Sequence, residues 1–433
     1  MTLIEEIAKR QADVNRPILI SAEKSLTFAQ IAQAEGVDLS EVVAGDVVAL
    51  IGDFNPQSIA TLLNLIDKSV VLVPLTVETA PDHDYFKETA FVNVVIEDGQ
   101  VTRTSQRGLE HPMLQQLRAS GNPGLVLFSS GTTGRPKAIL HDFSQFLVRF
   151  RTPRPALVTM SFLLFDHIGG INTLLHTLFN NGQVVVPSKR SPAEVVSEII
   201  ANAVELLPTT PTFLRLLMLS GELGRLAFSK LQVITYGTER MDEPTLARLA
   251  VALPNVDLRQ TYGMSELGIL RIKSRARDSL YMKVGGEGVT TRVNDESVLE
   301  IKSESRMIGY LNAPSPFNDE GWYDTKDIVS VDGEYLRITG RKGDLINIGG
   351  QKILPAEVER VALEMPGVAF AKAVGAPNPI TGQHIEVLVQ ASEGIELDKK
   401  QIAQHFRENL PAAFQPHRIR IDNVKIGHRF KQL

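Results

Sequence analysis

Short apolar runs alternate with amphipathic segments along much of this sequence. "DVVALIG" (46–52) is almost wholly apolar, "PQSIATLLNLID" (56–67) carries its apolar residues at helical spacing, and "SVVLVPL" (69–75) is apolar again. A strand, a helix and a second strand in this order predict a βαβ unit. The same alternation returns from "ALVTMS" (156–161) to "PAEVVSEIIANAV" (192–204), and from "LQVITYG" (231–237) onward. The predicted fold class is therefore α/β, with largely parallel, helix-covered sheets whose ligands bind beyond the strand ends.

The pattern changes after about residue 284, where short strands and turns replace the alternation, as in "SVLEIKS" (297–303). This change predicts a β-rich subdomain. From Pro355, a helix with proline at its first position is followed by the strand "HIEVLVQ" (384–390) and by a helix that Asp398 caps. We therefore expect a large N-terminal domain at 1–340 and a small α+β domain at 341–433.

Composition excludes several classes of function. The chain of 433 residues has a formal charge of −5 and no long run of lysine or arginine, so we expect no nucleic-acid partner. It contains no cysteine, which excludes disulfides, thiolate metal sites and a cysteine nucleophile. We expect a cytoplasmic protein without a membrane span, because no apolar run reaches about 18 residues and the start lacks a basic, then apolar, signal.

One polar loop follows a strand-like run in "LVLFSSGTTGRPKA" (125–138). Hydroxyl groups and unobstructed backbone N–H groups suit an anion such as phosphate, and a lysine adds a point charge. The spacing is not that of a Walker A loop, because Pro136 precedes the lysine. The candidate phosphate-binding residues are Ser129, Ser130, Gly131, Thr132, Thr133, Gly134 and Lys137.

Five motifs in order give the chain a family resemblance. "SSGTTGRPKA" resembles the phosphate loop of adenylate-forming (AMP-binding) enzymes, which include acyl-CoA synthetases, adenylation domains and luciferases. The four further motifs that are similar to that family's are "YGTE" (236–239), "TYGMSE" (261–266), "GWYDTKD" (321–327) and "GRKGDLINIGGQKILPAEVE" (340–359). The resemblance extends over about residues 26 to 425 and implies a large domain, a small C-terminal lid and a rotation between two reactions.

The resemblance implies a nucleotide-binding role for residues in each motif. Glu266 binds Mg²⁺, Ser265 reaches the α-phosphate, and Tyr262 stacks on adenine. Asp327 accepts from the ribose hydroxyls, although Lys326 stands where the family has glycine. The other implied nucleotide or thiol-side residues are Tyr236, Gly237, Thr238, Glu239, Gly263, Arg341 and Gly350.

The acid-binding pocket is implied by the segment "FDHIGGINTL" (165–174). His167 resembles the family's histidine beside the acyl group, and Asp166 either binds a cationic group of the substrate or orients His167. The other candidate pocket residues are Gly169, Gly170, Met264 and Gly268. Because glycines leave room, we expect an aryl or medium-chain acid rather than acetate.

A mobile lysine in the lid is implied to stabilise the attack of one anion on another. The family usually places it in a loop ending "GK", whereas this chain has "IDNVKIGHRFKQL" (421–433). Matching "KI" assigns the position to Lys425, and matching the glycine assigns it to His428; we prefer Lys425. Gly343 is the expected hinge.

The predicted reaction is ATP-dependent activation of a carboxylic acid to an acyl-adenylate, with pyrophosphate released. The acyl group then passes to coenzyme A or to the phosphopantetheine of an acyl carrier protein. The cofactors are ATP and Mg²⁺. Two alternatives remain: an adenylating enzyme with an amine or a dedicated carrier protein as acceptor, and an inactive nucleotide-binding relative.

Overall fold

A computed structural model describes residues 1–33, 37–104, 111–129, 134–427 and 429–431. The helices are α1 (Leu3–Ala8), α2 (Phe28–Ala32), α3 (Pro56–Asp67), α4 (His83–Thr89), α5 (Pro112–Ser120), α6 (Phe143–Val148), α7 (Ile168–Phe179), α8 (Pro192–Ala201), α9 (Pro211–Leu219), α10 (Leu223–Leu226), α11 (Glu243–Ala252), α12 (Pro355–Glu364) and α13 (Lys399–Asn409). The strands up to residue 264 are β1 (Pro17–Ile20), β2 (Ser25–Thr27), β3 (Val47–Ile51), β4 (Val71–Leu75), β5 (Val94–Glu97), β6 (Gln100–Arg103), β7 (Gly124–Phe128), β8 (Ala138–Asp142), β9 (Val158–Met160), β10 (Gln183–Val185), β11 (Leu206–Thr209), β12 (Val233–Tyr236), β13 (Asp257–Gln260) and β14 (Gly263–Met264). The later strands are β15 (Gly268–Ile269), β16 (Ile272–Ser274), β17 (Met282–Val284), β18 (Val289–Val293), β19 (Val298–Ser303), β20 (Gly309–Tyr310), β21 (Tyr323–Asp332), β22 (Tyr335–Arg341), β23 (Ile346–Ile348), β24 (Gln351–Ile353), β25 (Val368–Asn378), β26 (Gly382–Ala391) and β27 (Arg418–Ile421).

The chain forms two compact units, each assembled from separate segments. The first unit comprises 1–208, 263–270 and 303–318, and the second comprises 209–262, 271–302 and 319–433. The domain boundary expected between residues 340 and 341 stays a prediction.

A seven-stranded sheet in the first unit has the order β20-β8-β7-β4-β3-β5-β6. Its centre is parallel: β3 pairs with β4 and with β5, and β4 pairs with β7. Helix α3 begins where the sequence predicts, because the side chain of Asn55 accepts from the N–H of Ser58 and Pro56 occupies the first turn. Eight side chains of α3 are buried, so the predicted βαβ unit β3-α3-β4 is confirmed.

The other two stretches in which apolar runs alternate with amphipathic segments also contain parallel strand pairs. In the first unit, β9 and β10 pair in parallel, as do β10 and β1. In the second unit, β12 and β13 are parallel, with register from Val233 opposite Asp257 to Tyr236 opposite Gln260. The carboxyl ends of β12 and β13 therefore lead directly into the loops that carry "YGTE" and "TYGMSE".

The other sheets of the second unit are antiparallel, except that β27 pairs with β26 in parallel. Six strands lie in the order β16-β17-β22-β21-β19-β18, and β24-β23-β26-β25 form another sheet, which β27 joins beside β26. Helices α12 and α13 contribute to the core of this second sheet, because Val358, Val361, Ile402 and Phe406 are buried together with strand residues such as Val387. The predicted β-rich region and the predicted α+β elements are both present.

Among the described residues, no helix has the length and apolar character that crossing a membrane requires.

Candidate nucleotide site

The phosphate-loop candidate lies between β7 and β8, and its two ends are bonded to each other. Phe128 and Ala138 are paired residues of the two strands. The N–H of Ser129 donates to the carbonyl of Lys137 at 3.1 Å, and the N–H of Lys137 donates to Ser129 Oγ at 2.9 Å. The hydroxyl of Ser129 thus closes the base of the loop. Of the other predicted loop residues, Ser130, Gly131, Thr132 and Thr133 lie outside the described part of the chain.

The loop residues Arg135 and Pro136 contact two side chains from elsewhere in the chain, Tyr85 and Asn312. The carbonyl of Pro136 accepts from the hydroxyl of Tyr85 at 2.8 Å and from the amide of Asn312 at 3.1 Å. The guanidinium of Arg135 lies 5.5 Å from the centroid of the Tyr85 ring. These contacts fix the backbone that presents Lys137.

Glu266, the predicted metal ligand, lies between the short paired strands β14 and β15. Its carbonyl accepts from the N–H of Met307 at 2.8 Å, and its Oε1 accepts from the hydroxyl of Tyr310 at 2.7 Å. The ammonium of Lys137 lies 4.7 Å from the centroid of the same tyrosine ring. The structure therefore brings the predicted phosphate lysine and the predicted metal ligand to one side chain, Tyr310, which the sequence reasoning missed.

The donor set is compatible with a magnesium ion that arrives with a nucleotide. Among the described residues, no three or more histidine or acidic side chains form a cluster able to hold a metal ion by themselves. Mg²⁺ is typically held by one or two carboxylates together with phosphate oxygens and water. Glu266 supplies such a carboxylate, and it contacts the same tyrosine as Lys137, the predicted phosphate-binding lysine.

His141 supports the segment that carries Ser265 and Glu266. Its ring is buried, with 3% of the residue exposed, and Nε2 donates to the carbonyl of Ser265 at 2.6 Å. Burial lowers the pKa of His141 to about 4, although the bond to Ser265 acts in the opposite direction. The imidazole is therefore neutral near pH 7, with its proton on Nε2, because a carbonyl can only accept.

Asp327, the predicted ribose ligand, is buried and bonded on both oxygens. Oδ2 accepts from the hydroxyl of Tyr262 at 2.7 Å, and Oδ1 accepts from Nε of Arg341 at 2.9 Å. Burial, followed by the Asp327 charge and this hydrogen bond, raises the pKa of Tyr262 well above its usual range. Each carboxylate oxygen has a second lone pair, so the pair of bonds leaves acceptor capacity for ribose hydroxyls.

The "YGTE" loop follows β12 and is conformationally constrained. A side chain at Gly237 would place its Cβ 2.1 Å from Thr261 Oγ1, so only glycine fits there. Thr238 has a φ of +70°, which is rare for a β-branched residue and typical of functional sites. Glu239 Oε1 accepts from the N–H of Thr212 at 2.6 Å in the first turn of α9, where a negative charge is favourable. The ring of Tyr236 is buried, and burial raises the pKa of its hydroxyl far above the ordinary value.

Residues 427 and 429–431, which we call the tail turn, pack on the start of helix α9. The N–H of Gly427 donates to the carbonyl of Lys431 at 2.9 Å, and Thr210 Oγ1 donates to the carbonyl of Phe430 at 2.7 Å. The rings of Phe430 and Phe213 meet edge to face with centroids 5.7 Å apart.

The tail turn carries Lys431 toward the "YGTE" loop and Arg341. Burial, together with the charges of Arg429 and Arg341, lowers the pKa of Lys431 to about 8, although the charge of Glu239 acts in the opposite direction. Lys425, by contrast, is exposed. His428 lies outside the described residues. The sequence prediction compared only Lys425 and His428, because it matched "KI" and the glycine, and it did not consider Lys431.

The segment "FDHIGG" places its residues at the start of α7. His167 is the N-cap of this helix, and its Nδ1 accepts from the N–H of Gly169 at 3.0 Å. Asp166 is buried, with 4% exposed. A Cβ at Gly170 would lie 1.9 Å from the carbonyl oxygen of Leu164, so close packing requires glycine there. Its place in the acid pocket, with Gly169, Met264 and Gly268, stays a prediction.

The predicted hinge and thiol-side glycines lie in open surroundings. Gly343 belongs to a short 3₁₀ turn, Lys342–Asp344, and a Cβ there would meet no atom within 4 Å. Gly349 and Gly350 join β23 to β24 with φ values of +58° and +88°, as two-residue hairpin turns of the mirror-image type require.

Family models match most of the chain. The model described as "AMP-binding enzyme" matches residues 4–302, and the model described as "AMP-binding enzyme C-terminal domain" matches residues 357–424.

Similar proteins and structures agree with these matches. A feruloyl-CoA synthase of Amycolatopsis sp is 25% identical over 89% of this chain and 88% of its own length. The fatty acid–[acyl-carrier-protein] ligase MmaC of Mycobacterium marinum is 26% identical over 72% of this chain and 66% of its own length. The structure of the anthranilate CoA ligase AuaEII with anthranoyl-AMP superposes with a TM-score of 0.81 over 100% of this chain and 95% of that one, at 17% identity.

Proposed function

The chain belongs to the AMP-binding enzyme family, and from that membership we propose which of its residues perform each step and which acid it takes. The chain is an AMP-forming acid–thiol ligase. A carboxylate oxygen attacks the α-phosphorus of ATP, the bond from that phosphorus to the bridging oxygen breaks, and pyrophosphate leaves. A thiol sulfur then attacks the acyl carbon, a thioester forms and AMP leaves.

One observation carries the assignment of the phosphate-binding groups: Lys137 and Glu266 meet at Tyr310, beside the closed base of the polar loop. We assign Lys137 and the loop from Ser129 to the β- and γ-phosphates and Ser265 to the α-phosphate. Glu266 would hold Mg²⁺, which neutralises the phosphate charge when bound. Fixed opposite charges of this kind stabilise the leaving pyrophosphate.

The nucleoside end is assigned to Asp327 and Tyr262. Asp327, oriented by Tyr262 and Arg341, would accept from the ribose hydroxyls. Because the Tyr262 hydroxyl donates to Asp327, its ring is fixed in orientation, as a stacking surface for adenine requires.

For the lysine that stabilises the attacking carboxylate, we propose Lys431 in place of Lys425. Thr210 and Phe213 hold the tail turn in place. The charge of Arg341, which is bonded to Asp327, acts on the ammonium of Lys431 and lowers its pKa. Lys425 is exposed and follows Val424, whose N–H is bonded to Gln390.

The proposed acid is aromatic, with coenzyme A as the acceptor. Two of the similar proteins are described as acting on aryl acids, ferulate and anthranilate, and both are described as forming CoA thioesters. The second candidate acceptor is a carrier protein, which the similarity to MmaC favours.

The first experiment measures ATP–pyrophosphate exchange with ferulate, anthranilate, octanoate and acetate in turn. We expect exchange with an aryl acid, and mass spectrometry should find its CoA thioester when coenzyme A is added. Exchange with acetate alone would contradict the acid class. Measurable ATP binding with no exchange for any acid would favour the inactive relative.

A second experiment compares Lys431→Ala with Lys425→Ala. We expect the former to lower the exchange rate by about a hundredfold or more, since one preorganised electrostatic group contributes about 10²–10³ in rate. The matched variant at 425 should keep most of its exchange. A larger loss of exchange in Lys425→Ala than in Lys431→Ala would assign this role to Lys425. Equal losses in the two variants would show that neither lysine is assigned correctly.

A further inference from the structure

Tyr310 has a backbone position that is fixed on both sides. It is the second residue of strand β20 and pairs with Ile139 of β8, while Gly309 pairs with Leu140. The N–H groups of Ile308 and Leu311 donate to the carbonyls of Leu140 and Ala138 at 2.8 and 2.9 Å. Only 4% of Tyr310 is exposed, and it packs with Met307 and Ile139. The strand that starts just after Lys137 therefore also holds Tyr310.

The hydroxyl and the ring of Tyr310 contact two side chains of opposite charge, Glu266 and Lys137. Its hydroxyl donates to Oε1 of Glu266 at 2.7 Å, because an ionised carboxylate can only accept. Its ring lies 4.7 Å from the ammonium of Lys137, within the range of a cation–π contact. The hydroxyl occupies one carboxylate oxygen and leaves Oε2 of Glu266 for another ligand, while the ring limits the positions open to the ammonium.

We propose that Tyr310 is a positioning residue that orients Glu266 for Mg²⁺ and Lys137 for phosphate. The proposal rests on the proposed function. Long side chains lose rotamer freedom when they bind a ligand, and a residue that restricts them beforehand reduces this cost. The hydroxyl and the ring act on different partners, so removing them separately should produce different defects.

The experiment measures ATP binding by titration calorimetry, with saturating Mg²⁺ and with EDTA, so that no acid is needed. The ratio of the two dissociation constants reports how strongly Mg²⁺ supports ATP binding.

Tyr310→Phe keeps the ring and loses the hydroxyl. Because a hydrogen bond to a charged group is worth about ten- to a hundredfold in binding, this ratio should fall about tenfold or more, with affinity in EDTA unchanged. Tyr310→Leu should lower the ratio similarly and also weaken binding in EDTA about threefold, because the ammonium loses its ring.

Tyr281→Phe is the matched control. The hydroxyl of Tyr281 lies 3.4 Å from Ser330 Oγ, and its ring lies 5.1 Å from the guanidinium of Arg275, so it makes the same two kinds of contact away from the proposed site. Its ratio should equal that of the wild type, and thermal unfolding of each variant checks that the chain is folded.

Two results would overturn the assignment of Tyr310 alone. In the first, Tyr310→Phe keeps the wild-type ratio. In the second, it weakens ATP equally with and without Mg²⁺, as a general structural defect would. Failure of the wild type to bind ATP under either condition would overturn the proposed function as well, so the two failures are distinguishable.

Discussion

Lys326 adopts a backbone conformation that favours glycine. Its φ is +62°, its N–H donates to Asp324 Oδ1 at 2.8 Å, and its ammonium pairs with the same carboxylate. The left-handed conformation costs an ordinary residue about 1–2 kcal/mol. The position where the sequence departs from the family's glycine is therefore one where the native backbone is strained.

Replacing Lys326 with glycine should stabilise the protein. We expect the free energy of unfolding to rise by about 1 kcal/mol, because the strain is relieved and an exposed ion pair contributes little. The measurement is the midpoint of urea unfolding. Lys326→Ala is the control, since it loses the ion pair but keeps a Cβ, and it should bring no gain. A glycine variant no more stable than the alanine variant would show that φ is not the cause.

The buried ring of His141 should make the protein sensitive to mild acid. Its pKa is about 4 in the folded chain and near 6.5 when unfolded, so the unfolded state binds more protons between these values. Stability should fall by about 3 kcal/mol as pH falls from 6.5 through 4. His141→Gln keeps a donor for Ser265 and does not titrate, so unfolding midpoints measured from pH 7 to 4 should decline less. Parallel declines in both proteins would exclude His141 as the source.

The proposed role of Lys431 has its own pH dependence. A lysine stabilises a developing negative charge only while protonated, and its folded pKa is about 8, against 10.5 for an ordinary lysine. The exchange rate should decline as pH rises through about 8. Lys431→Arg should move this decline to higher pH, because arginine stays protonated. A decline at the same pH in the variant would assign it to another group.

At the scale of single elements, the Lys342–Asp344 turn is the proposed pivot between the two half-reactions. A Cβ at Gly343 would meet open space, so Gly343→Ala should leave folding and both half-reactions nearly unchanged. Gly343→Pro fixes φ and restricts the preceding residue. We expect the proline variant to keep ATP–pyrophosphate exchange but to slow thioester formation at least tenfold, as read by quenched-flow assay of both steps. Equal slowing of both steps would mean that the turn is not a pivot.

Long periodic elements are the ones that the sequence predicted best. Helix α3 begins at Pro56 and ends at Asp67 as the apolar spacing indicates, and Asp398 caps α13 as expected. Strand β20 was not predicted, because two residues cannot display a period.

At the scale of the whole molecule, the site residues that the sequence predicts are those in motifs. The side chains that contact them in the structure come from positions distant along the chain. Tyr310 reaches Glu266 across 44 positions, and His141 reaches Ser265 across 124. Phe430 meets Thr210 across 220 positions. Nothing local in "GYLNAP" or "RFKQL" encodes such a partner, because the pairing is a property of sheet order and of tail packing.

Under the proposed assignment of Asp327 to the ribose, its two protein donors limit how strictly the enzyme can select its sugar. Tyr262 and Arg341 each donate to one oxygen of Asp327, so both oxygens of this buried carboxylate keep a hydrogen bond when one sugar hydroxyl is missing. Discrimination against 2′-deoxy-ATP should then be only about ten- to a hundredfold in KM, the worth of one bond to a charged group. It should not reach the factor of about 10⁴ or more seen where a missing hydroxyl strands an unpaired group. Steady-state exchange with the two nucleotides decides between these outcomes, and near-complete rejection of the deoxy form would show that one donor departs when the sugar binds.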